Sequence, residues 1–167
     1  VMLKTLAQTQ SVCHTDELEL GSIIIDLGAG TTDILVLING APVSTASVPV
    51  GGNLVTNDIA VVTGISFAMA EKIKIENGCC WLQNITKETD MDVILPGVGG
   101  RNPDIVKQSQ ICQIIQARME QIFTMVKSAI AKNTHNSIKH LSGNVILTGG
   151  GALMDVVIKF AQKAFNK

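Results

Sequence analysis

The stretch GSIIIDLGAGTTDILVLINGAPVSTASVPV, residues 21–50, decides how the rest of the chain is organised. Within it, a short apolar run ends at Asp26, a glycine-rich turn follows, and a second apolar run continues beyond the turn. Because β-branched and apolar runs flank a tight turn, the pattern predicts a strand, a turn and a strand. Asn39 and Gly40 then favour a type I′ hairpin into a third strand over residues 41–48, which completes an antiparallel meander.

The first turn carries residue types that bind phosphate. Gly28 and Gly30 let the backbone come close to a ligand, and Thr31 and Thr32 add amides and hydroxyls that donate hydrogen bonds. The flanking carboxylates cannot bind an anion directly, so we expect at least one of them to hold a divalent cation or its water shell. The implied ligand is therefore a nucleotide with magnesium.

Two other interpretations of this turn stay open on these residues. A glycine-rich hairpin turn without any ligand would also show Gly-x-Gly after a strand. A Rossmann site would need a third glycine where the chain has Asp33, and a helix from about Gly30, where the pattern predicts a strand. The octet DLGAGTTD at residues 26–33 is nevertheless far more specific than Gly-x-Gly alone.

Length and composition bound the possibilities further. A chain of 167 residues with 46% hydrophobic content fits one domain or two small subdomains with a substantial core. No stretch resembles a signal peptide or is long and apolar enough to span a bilayer, so we expect a soluble domain. The net charge of −1 and 3% aromatic content argue against a nucleic-acid binder. The four cysteines lack metal-ligand spacing, which predicts buried free thiols in a reducing cytoplasm.

Two helices and a small β unit are expected after the meander. The first helix covers residues 54–63 and ends at Gly64. The second covers residues 67–77, with Ser66 as its N-cap. Short apolar pieces separated by polar residues between Gly78 and Gly100 predict a small hairpin or a pair of edge strands.

The last third of the chain is expected to contain a long helix, a strand and a closing helix. Asn102 caps the long helix, Pro103 takes its first position, and an apolar stripe runs down one face to about Lys132. A polar connection, the strand, a glycine triplet and the closing helix follow at residues 134–143, 144–148, 149–151 and 152–165. Backbone amides at a helix N-terminus beside a sheet suit phosphate or ribose, although the triplet alone could be a tight turn.

The octet resembles the second phosphate motif of the actin-like ATPase superfamily, which includes actin, heat-shock chaperones, sugar kinases and bacterial division proteins. LTGGGA at residues 147–152 looks like the adenosine motif of that superfamily, and Glu71 with Lys74 looks like the helix that reaches the ribose and base. The resemblance implies an α/β, actin-like ATPase (ribonuclease H-like) fold. Such a fold has a mixed sheet with an antiparallel three-strand meander flanked by helices, plus a small α+β insertion subdomain.

The same resemblance implies ATP and Mg²⁺ as cofactors. Asp26 is the residue expected to hold the Mg²⁺, through water. Nucleotide contacts are implied for Asp26, Gly28, Ala29, Gly30, Thr31, Thr32, Asp33, Glu71, Lys74, Gly149, Gly150, Gly151 and Ala152.

Three further stretches are similar to the FtsA family of bacterial cell-division proteins: ELG at 19–21, VPVGGN at 48–53 with Thr56, Asp58 and Ile59, and VGGR at 98–101. The similarity covers nearly the whole chain and implies the second half of the actin-like core. Subdomain 2A is then expected at residues 1–73, including a leading connecting helix, and at 133–167, with the insertion subdomain 2B at 74–132. The first phosphate motif, subdomain 1C and the C-terminal membrane helix of that family are expected to lie outside this sequence, and Ala29 replaces a frequent glycine.

The resemblance also implies a role. It is that of an adaptor that links FtsZ filaments to the inner face of the cytoplasmic membrane at the division site, polymerises, and is at most a weak ATPase. Subdomain 2B would bind the FtsZ C-terminal tail through Arg118, Lys107 and Gln121, without direct membrane contact from this part of the chain. The alternative is the nucleotide-binding half of a sugar kinase or a chaperone-like ATPase.

Overall fold

The structure, a computed structural model, describes residues 4–97, 99–100, 102–134 and 144–165. The strands are β1 Ser22–Leu27, β2 Thr32–Ile38, β3 Ala41–Val48, β4 Asp92–Leu95, β5 Asp104–Lys107 and β6 Val145–Thr148. The α-helices are α1 Lys4–Val12, α2 Thr15–Leu20, α3 Gly52–Thr63, α4 Phe67–Asn77, α5 Gln108–Thr134 and α6 Val157–Phe165. Among the described residues, 3₁₀ turns lie at Leu82–Asn84 and Gly150–Leu153.

The main sheet has the strand order β3-β2-β1-β6 and confirms the predicted meander. β1 pairs antiparallel with β2 and parallel with β6, so the sheet is mixed. The turn between β2 and β3 has positive φ at both Asn39 and Gly40, as a type I′ hairpin requires. Since all six residues of β1 are buried, this strand lies at the centre of the fold.

Helices cover both faces of the main sheet. α5 packs across β2 and β3 and also contacts α3. Its predicted apolar stripe is buried throughout: Ile111, Ile115, Met119, Ile122, Val126 and Ile130. α1 contacts the opposite face, where Leu6 packs against Ile24, Leu35 and Leu37. The helices α3 and α4 also agree with prediction, with Gly64 left-handed and Ser66 accepting a bond from the Met69 amide.

The start of the long helix was predicted wrongly. Residues placed in its first turn, beginning at Pro103, instead lead into β5, which pairs antiparallel with β4 to form a two-stranded sheet. The helix begins at Gln108 because its first turn is capped from a distant residue. The Asp90 carboxylate accepts bonds from the Ser109 amide at 2.9 Å and from the Ser109 hydroxyl at 2.7 Å.

Two other boundaries differ from prediction. The piece at residues 79–82 forms no strand; Cys79 makes only an isolated bridge to Asp155. The closing helix begins at Val157 rather than at residue 152, since a 3₁₀ turn follows the glycines and Val156 has a φ of 54°. The expected helix N-terminus beside the triplet is therefore a short 3₁₀ turn.

One continuous apolar core joins the two sheets, because Val93 and Leu95 of β4 belong to the same buried cluster as Ile25. The division into subdomains at residues 74 and 132 stays a prediction. The polar connection expected at residues 134–143 lies outside the described residues after Thr134. Val98 and Arg101 of the VGGR stretch also lie outside them.

Three of the four free cysteines, Cys79, Cys80 and Cys112, are buried as expected, whereas Cys13 is partly exposed. Burial raises the pKa of Cys80 to about 12. Within the described ranges, no single helix is long and apolar enough to cross a bilayer, and only α3 and α4 together reach that length and composition, with a bend of 109° between them.

Candidate functional site

The two glycine turns open at the same edge of the main sheet. β1 and β6 run parallel, and Asp26 is in register with Thr148, so the turns that follow both strands are neighbours. Gly149 has a φ of 84°, and a Cβ added there would overlap Asp26 Oδ1 and lie 2.7 Å from the Leu27 carbonyl oxygen. This close approach requires glycine and holds the two turns side by side.

The turn between β1 and β2 is fixed by the beginning of α3. The Gly28 carbonyl accepts a bond from the Gly52 amide at 2.9 Å, and the Ala29 carbonyl accepts one from Asn53 at 2.8 Å. A Cβ at Gly51 would lie 2.5 Å from the Gly28 oxygen, so only glycine permits this contact. In a planar trans peptide the amide points opposite to the carbonyl, which directs the Ala29 and Gly30 amides away from α3. Neither amide donates to any of the described residues.

A cavity of about 670 Å³ lies between these turns, α3 and α4. That volume is typical of sites for small molecules and cofactors. Seven residues predicted from the sequence line it: Gly28, Ala29, Thr32, Glu71, Lys74, Gly150 and Gly151. The other predicted residues lie beside the cavity without lining it: Asp26, Gly30, Thr31, Asp33, Gly149 and Ala152. Much of the remaining wall is apolar, from Leu27, Val55, Ile75, Met119, Ile122, Leu153 and Met154.

Glu71 and Lys74 form one hydrogen-bonded cluster on this wall. The Lys74 ammonium donates to Glu71 Oε2 at 2.7 Å, to Thr56 Oγ1 at 2.8 Å and to the Gly52 carbonyl at 3.2 Å. Partial burial raises the pKa of Glu71, but bonds from Lys74 and Thr56 and the lysine charge outweigh it, so the net pKa is lowered. The cluster joins α4 to α3 and leaves a carboxylate at the cavity wall.

Asp26 is the most enclosed charge of the site, with 1% exposure. Its Oδ2 accepts a bond from the Gln8 side-chain amide at 2.9 Å and lies 2.5 Å from the Lys4 ammonium. The bond to Asp26 is the main cause of a raised pKa of Lys4. Sequence reasoning missed Lys4 and Gln8 because nothing in their local pattern signals a contact with Asp26, which lies 18 residues after Gln8 and further still after Lys4.

Asp33 and the threonines of the turn have structural partners. Asp33 accepts bonds from the Ser47 hydroxyl at 2.6 Å and from the Thr31 hydroxyl at 3.4 Å. The buried Thr32 hydroxyl donates to the Val50 carbonyl at 2.8 Å. In the structure these side chains therefore brace the turn, and contacts to a ligand from this segment are left mainly to backbone amides.

The residues fit Mg²⁺ only in part. Asp26 offers the oxygen ligands that this ion prefers, but one oxygen is already paired with an ammonium and the other lies against Gly149. Among the described residues, no group of three or more His, Cys, Asp or Glu side chains could hold a metal ion. A magnesium ion here would thus take most of its oxygen ligands from water, and from the nucleotide when one is bound.

The predicted partner residues are divided between two places. Arg118 and Gln121 line a groove of about 420 Å³ between α3 and α5, together with the exposed side chains of Val61 and Val62. The Arg118 guanidinium pairs with the Asp58 carboxylate through two bonds of 2.5 and 2.8 Å, which raise its pKa. In the structure, the carboxylate that pairs with Arg118 is therefore one from the same chain.

Lys107 does not line this groove. Its ammonium lies 2.7 Å from Asp92 Oδ1, across the two-stranded sheet, and 3.4 Å from the Asp90 carbonyl oxygen. The three residues predicted to bind a partner are thus not one cluster.

Comparison with known proteins adds an independent line of evidence. The family model described as "Cell division protein FtsA" matches residues 23–167. The chain is 37% identical to the cell division protein FtsA of Neisseria meningitidis serogroup B and 36% identical to that of Borreliella burgdorferi, over 99% of its length in each case. It spans about 40% of the length of these curated relatives.

Among solved structures, the fold is similar to MreB5 of Spiroplasma citri bound to ADP, with a TM-score of 0.76 at 21% identity. The match covers 99% of this chain and 52% of that protein. The actin-like fold expected from the octet is thus confirmed, and the likeness at this identity concerns the fold alone.

Proposed function

The chain belongs to the FtsA family of cell division proteins, and from this membership we propose that it supplies half of an ATP site. One observation carries the proposal: two glycine turns, predicted separately from the sequence, meet at one edge of the sheet beside a cavity of nucleotide size. The crystal structure of MreB5, which has the same fold, is described as bound to ADP, and this supports the choice of ligand.

Different residues are proposed to bind different parts of the nucleotide. The Ala29 and Gly30 amides are available to donate to phosphate oxygens, and the absence of side chains at Gly150 and Gly151 lets a nucleoside approach the 3₁₀ turn. Glu71 accepts hydrogen bonds, so its carboxylate suits ribose hydroxyls or a base amine, while Lys74 holds it in place. Bound Mg²⁺ would neutralise phosphate charge, with Asp26 as the protein group that holds its water shell.

A titration with a fluorescent ATP analogue tests this assignment. Gly150 lines the cavity, its φ is not positive, and a Cβ there meets nothing within 4 Å, so Gly150→Val adds bulk to the cavity without straining the backbone. We expect at least about a tenfold loss of affinity, which corresponds to roughly 1.4 kcal/mol. Thr45→Val, at an exposed position of β3 outside the cavity, is the matched control and should bind as wild type. Equal affinity of both variants would place the nucleotide elsewhere.

We further propose that the whole protein links FtsZ filaments to the cytoplasmic face of the membrane at the division site and self-associates into actin-like filaments. Family membership supports this role and disfavours the sugar kinase and chaperone alternatives. Any ATP hydrolysis by the whole protein is proposed to be weak, as the resemblance to this family implies. Subdomain 2B, at residues 74–132, is the proposed site for the FtsZ C-terminal tail.

Within this assignment, the proposed binding surface is the groove in which α5 of subdomain 2B faces α3 of subdomain 2A. A peptide carboxylate that binds Arg118 must compete with Asp58, whereas apolar side chains of the peptide can pack on Val61 and Val62. Asp58→Asn should therefore tighten binding of a labelled FtsZ tail peptide, because it weakens the internal competitor while keeping the side-chain shape. Arg118→Glu should weaken it by about 2 kcal/mol or more.

Fluorescence anisotropy provides the measurement, with Lys132→Glu as a charge reversal at an exposed position of the same helix. Opposite shifts for the Asp58 and Arg118 variants, with the control unchanged, support the groove. If Asp58→Asn and Arg118→Glu both bind like wild type, Arg118 is not the anchor; if wild type shows no saturable binding, the tail does not bind this part of the protein.

A further inference from the structure

The strongest unexplained feature of the site is the ion pair between Lys4 and Asp26. Asp26 is 1% exposed, whereas the Lys4 side chain is 61% exposed, so an exposed surface cation reaches an enclosed carboxylate. The Lys4 ammonium also lies 3.8 Å from Asp33 Oδ2. One lysine thus contacts the carboxylates at both ends of the phosphate-type turn.

Gln8 strengthens this arrangement. It lies one helical turn after Lys4 on α1, so both side chains reach the same strand end. Its amide nitrogen donates to Asp26 Oδ2, and its Oε1 is buried without a hydrogen-bond partner among the described residues. A buried oxygen without a donor is costly, which makes this position beside Asp26 favourable for a further donor or a cation.

We propose that Lys4 is a built-in counter-ion that competes with the divalent cation for Asp26 and so sets how strongly nucleotide binding depends on Mg²⁺. The inference rests on the proposed ATP site. The Lys4 ammonium lies 2.5 Å from the Asp26 carboxylate oxygen. A divalent cation that binds this oxygen through its own water shell would need the same space. Since lysine is a flexible, strongly hydrated point charge, it can leave Asp26 for the nearby phosphate when a nucleotide with Mg²⁺ enters.

The competition has two measurable consequences. Without Mg²⁺, Lys4 supplies positive charge to the phosphates, so wild type should keep part of its nucleotide affinity. Without Lys4, Asp26 is free for the metal, so the protein should bind a divalent cation more tightly. If the ion pair were purely structural, replacing Lys4 would change the stability of the protein. It would change neither the nucleotide affinity without Mg²⁺ nor the affinity for a divalent cation.

The first experiment measures direct binding of Mn²⁺, as a probe for Mg²⁺, by electron paramagnetic resonance in the absence of nucleotide. Lys4→Met should tighten Mn²⁺ binding by at least about fivefold, the lower end of usual coupling between competing ligands. The double variant Lys4→Met with Asp26→Asn should lose this gain. Lys72→Met is the matched control, because Lys72 is 62% exposed and, among the residues that the structure describes, pairs only with the surface residue Glu76, at 3.9 Å.

The second experiment titrates a fluorescent ATP analogue in EDTA and in excess Mg²⁺. Lys4→Met should lose at least about fivefold more affinity on Mg²⁺ removal than wild type or Lys72→Met loses. Circular dichroism establishes that each variant is folded. Equal Mn²⁺ affinity of folded Lys4→Met and wild type overturns the inference. If no variant binds nucleotide at any Mg²⁺ concentration, the proposed ATP site fails, and the Mn²⁺ comparison alone then decides whether Lys4 competes with a metal.

Discussion

The four-stranded and two-stranded sheets of this protein are built on different principles. In β1 every residue is buried between helices on both faces, whereas in β4 buried and exposed residues alternate and β5 is mostly exposed. A strand enclosed on both faces keeps its end in one position, and the first glycine turn of the candidate site follows such a strand, β1. The two-stranded sheet contributes one buried face to the same core and leaves its other face free to vary.

The largest expected difference comes from one substitution made in both sheets. Ile34 in β2 is 1% exposed, and Ile94 in β4 is 66% exposed. Ile34→Ala should lower the free energy of unfolding by about 2–5 kcal/mol, through lost burial and a cavity. Ile94→Ala should change it by less than about 0.5 kcal/mol. Urea denaturation followed by circular dichroism measures both, and similar losses would mean that the outer face of the small sheet is covered in solution.

The same contrast explains what the sequence could predict. The elements of the main sheet follow from local signals, such as the apolar run into Asp26 and the Asn39-Gly40 turn, so their boundaries agree with the structure within about two residues. The start of α5 could not be predicted, because Asp90 caps it from nineteen residues away in sequence. Local composition cannot reveal a cap that only the tertiary fold brings into place.

In the candidate site, too, some residues could be predicted from the sequence and others could not. Residues within motifs, such as Gly28 and Lys74, were predicted and do line the cavity. Thr56 was noted only as part of a family motif, and its contact with Lys74 required the packing of α3 against α4. Lys4 belongs to no recognisable motif and reaches Asp26 only through the position of α1.

The second prediction compares two glycines near the site. A Cβ at Gly51 would lie 2.5 Å from the Gly28 oxygen and 2.7 Å from the Ala29 oxygen, so Gly51→Ala must separate α3 from the turn. We expect a loss of about 1–3 kcal/mol in stability. Gly30→Ala should be nearly neutral, because its Cβ meets nothing within 4 Å and its φ is not positive. Thermal denaturation distinguishes them, and a neutral Gly51→Ala would show that the turn can move without cost.

The third prediction concerns the cap that links the small sheet to α5. Bonds from the Ser109 amide and hydroxyl lower the pKa of Asp90 below its ordinary value of 3.8. A lowered pKa in the folded state means that the charged form stabilises the fold above the unfolded pKa, and that this stabilisation is lost as the pH falls through the folded pKa. Asp90→Asn should therefore destabilise the protein near neutral pH. In acid, the difference in stability between this variant and wild type should become smaller.

Urea midpoints measured between about pH 6 and pH 3 test this cap. A constant difference between wild type and Asp90→Asn across that range would show that the charge of Asp90 does not contribute. Ser109→Ala removes the hydroxyl donor and keeps the amide donor, so it should produce a smaller effect in the same direction.

The smallest expected effect is at the ion pair between Lys107 and Asp92 on the exposed side of the small sheet. Both side chains are more than half exposed, so solvent screens their attraction, and ordering two flexible side chains offsets what remains. Lys107→Met should leave the urea midpoint unchanged at low and high salt. Lys4→Met should lower the midpoint, because it leaves the enclosed Asp26 without its counter-ion. If Lys107→Met proved as destabilising as Lys4→Met, the exposed face of the small sheet would have to be more constrained than its burial indicates. The proposed contrast between the two sheets would then be wrong at its most exposed ion pair.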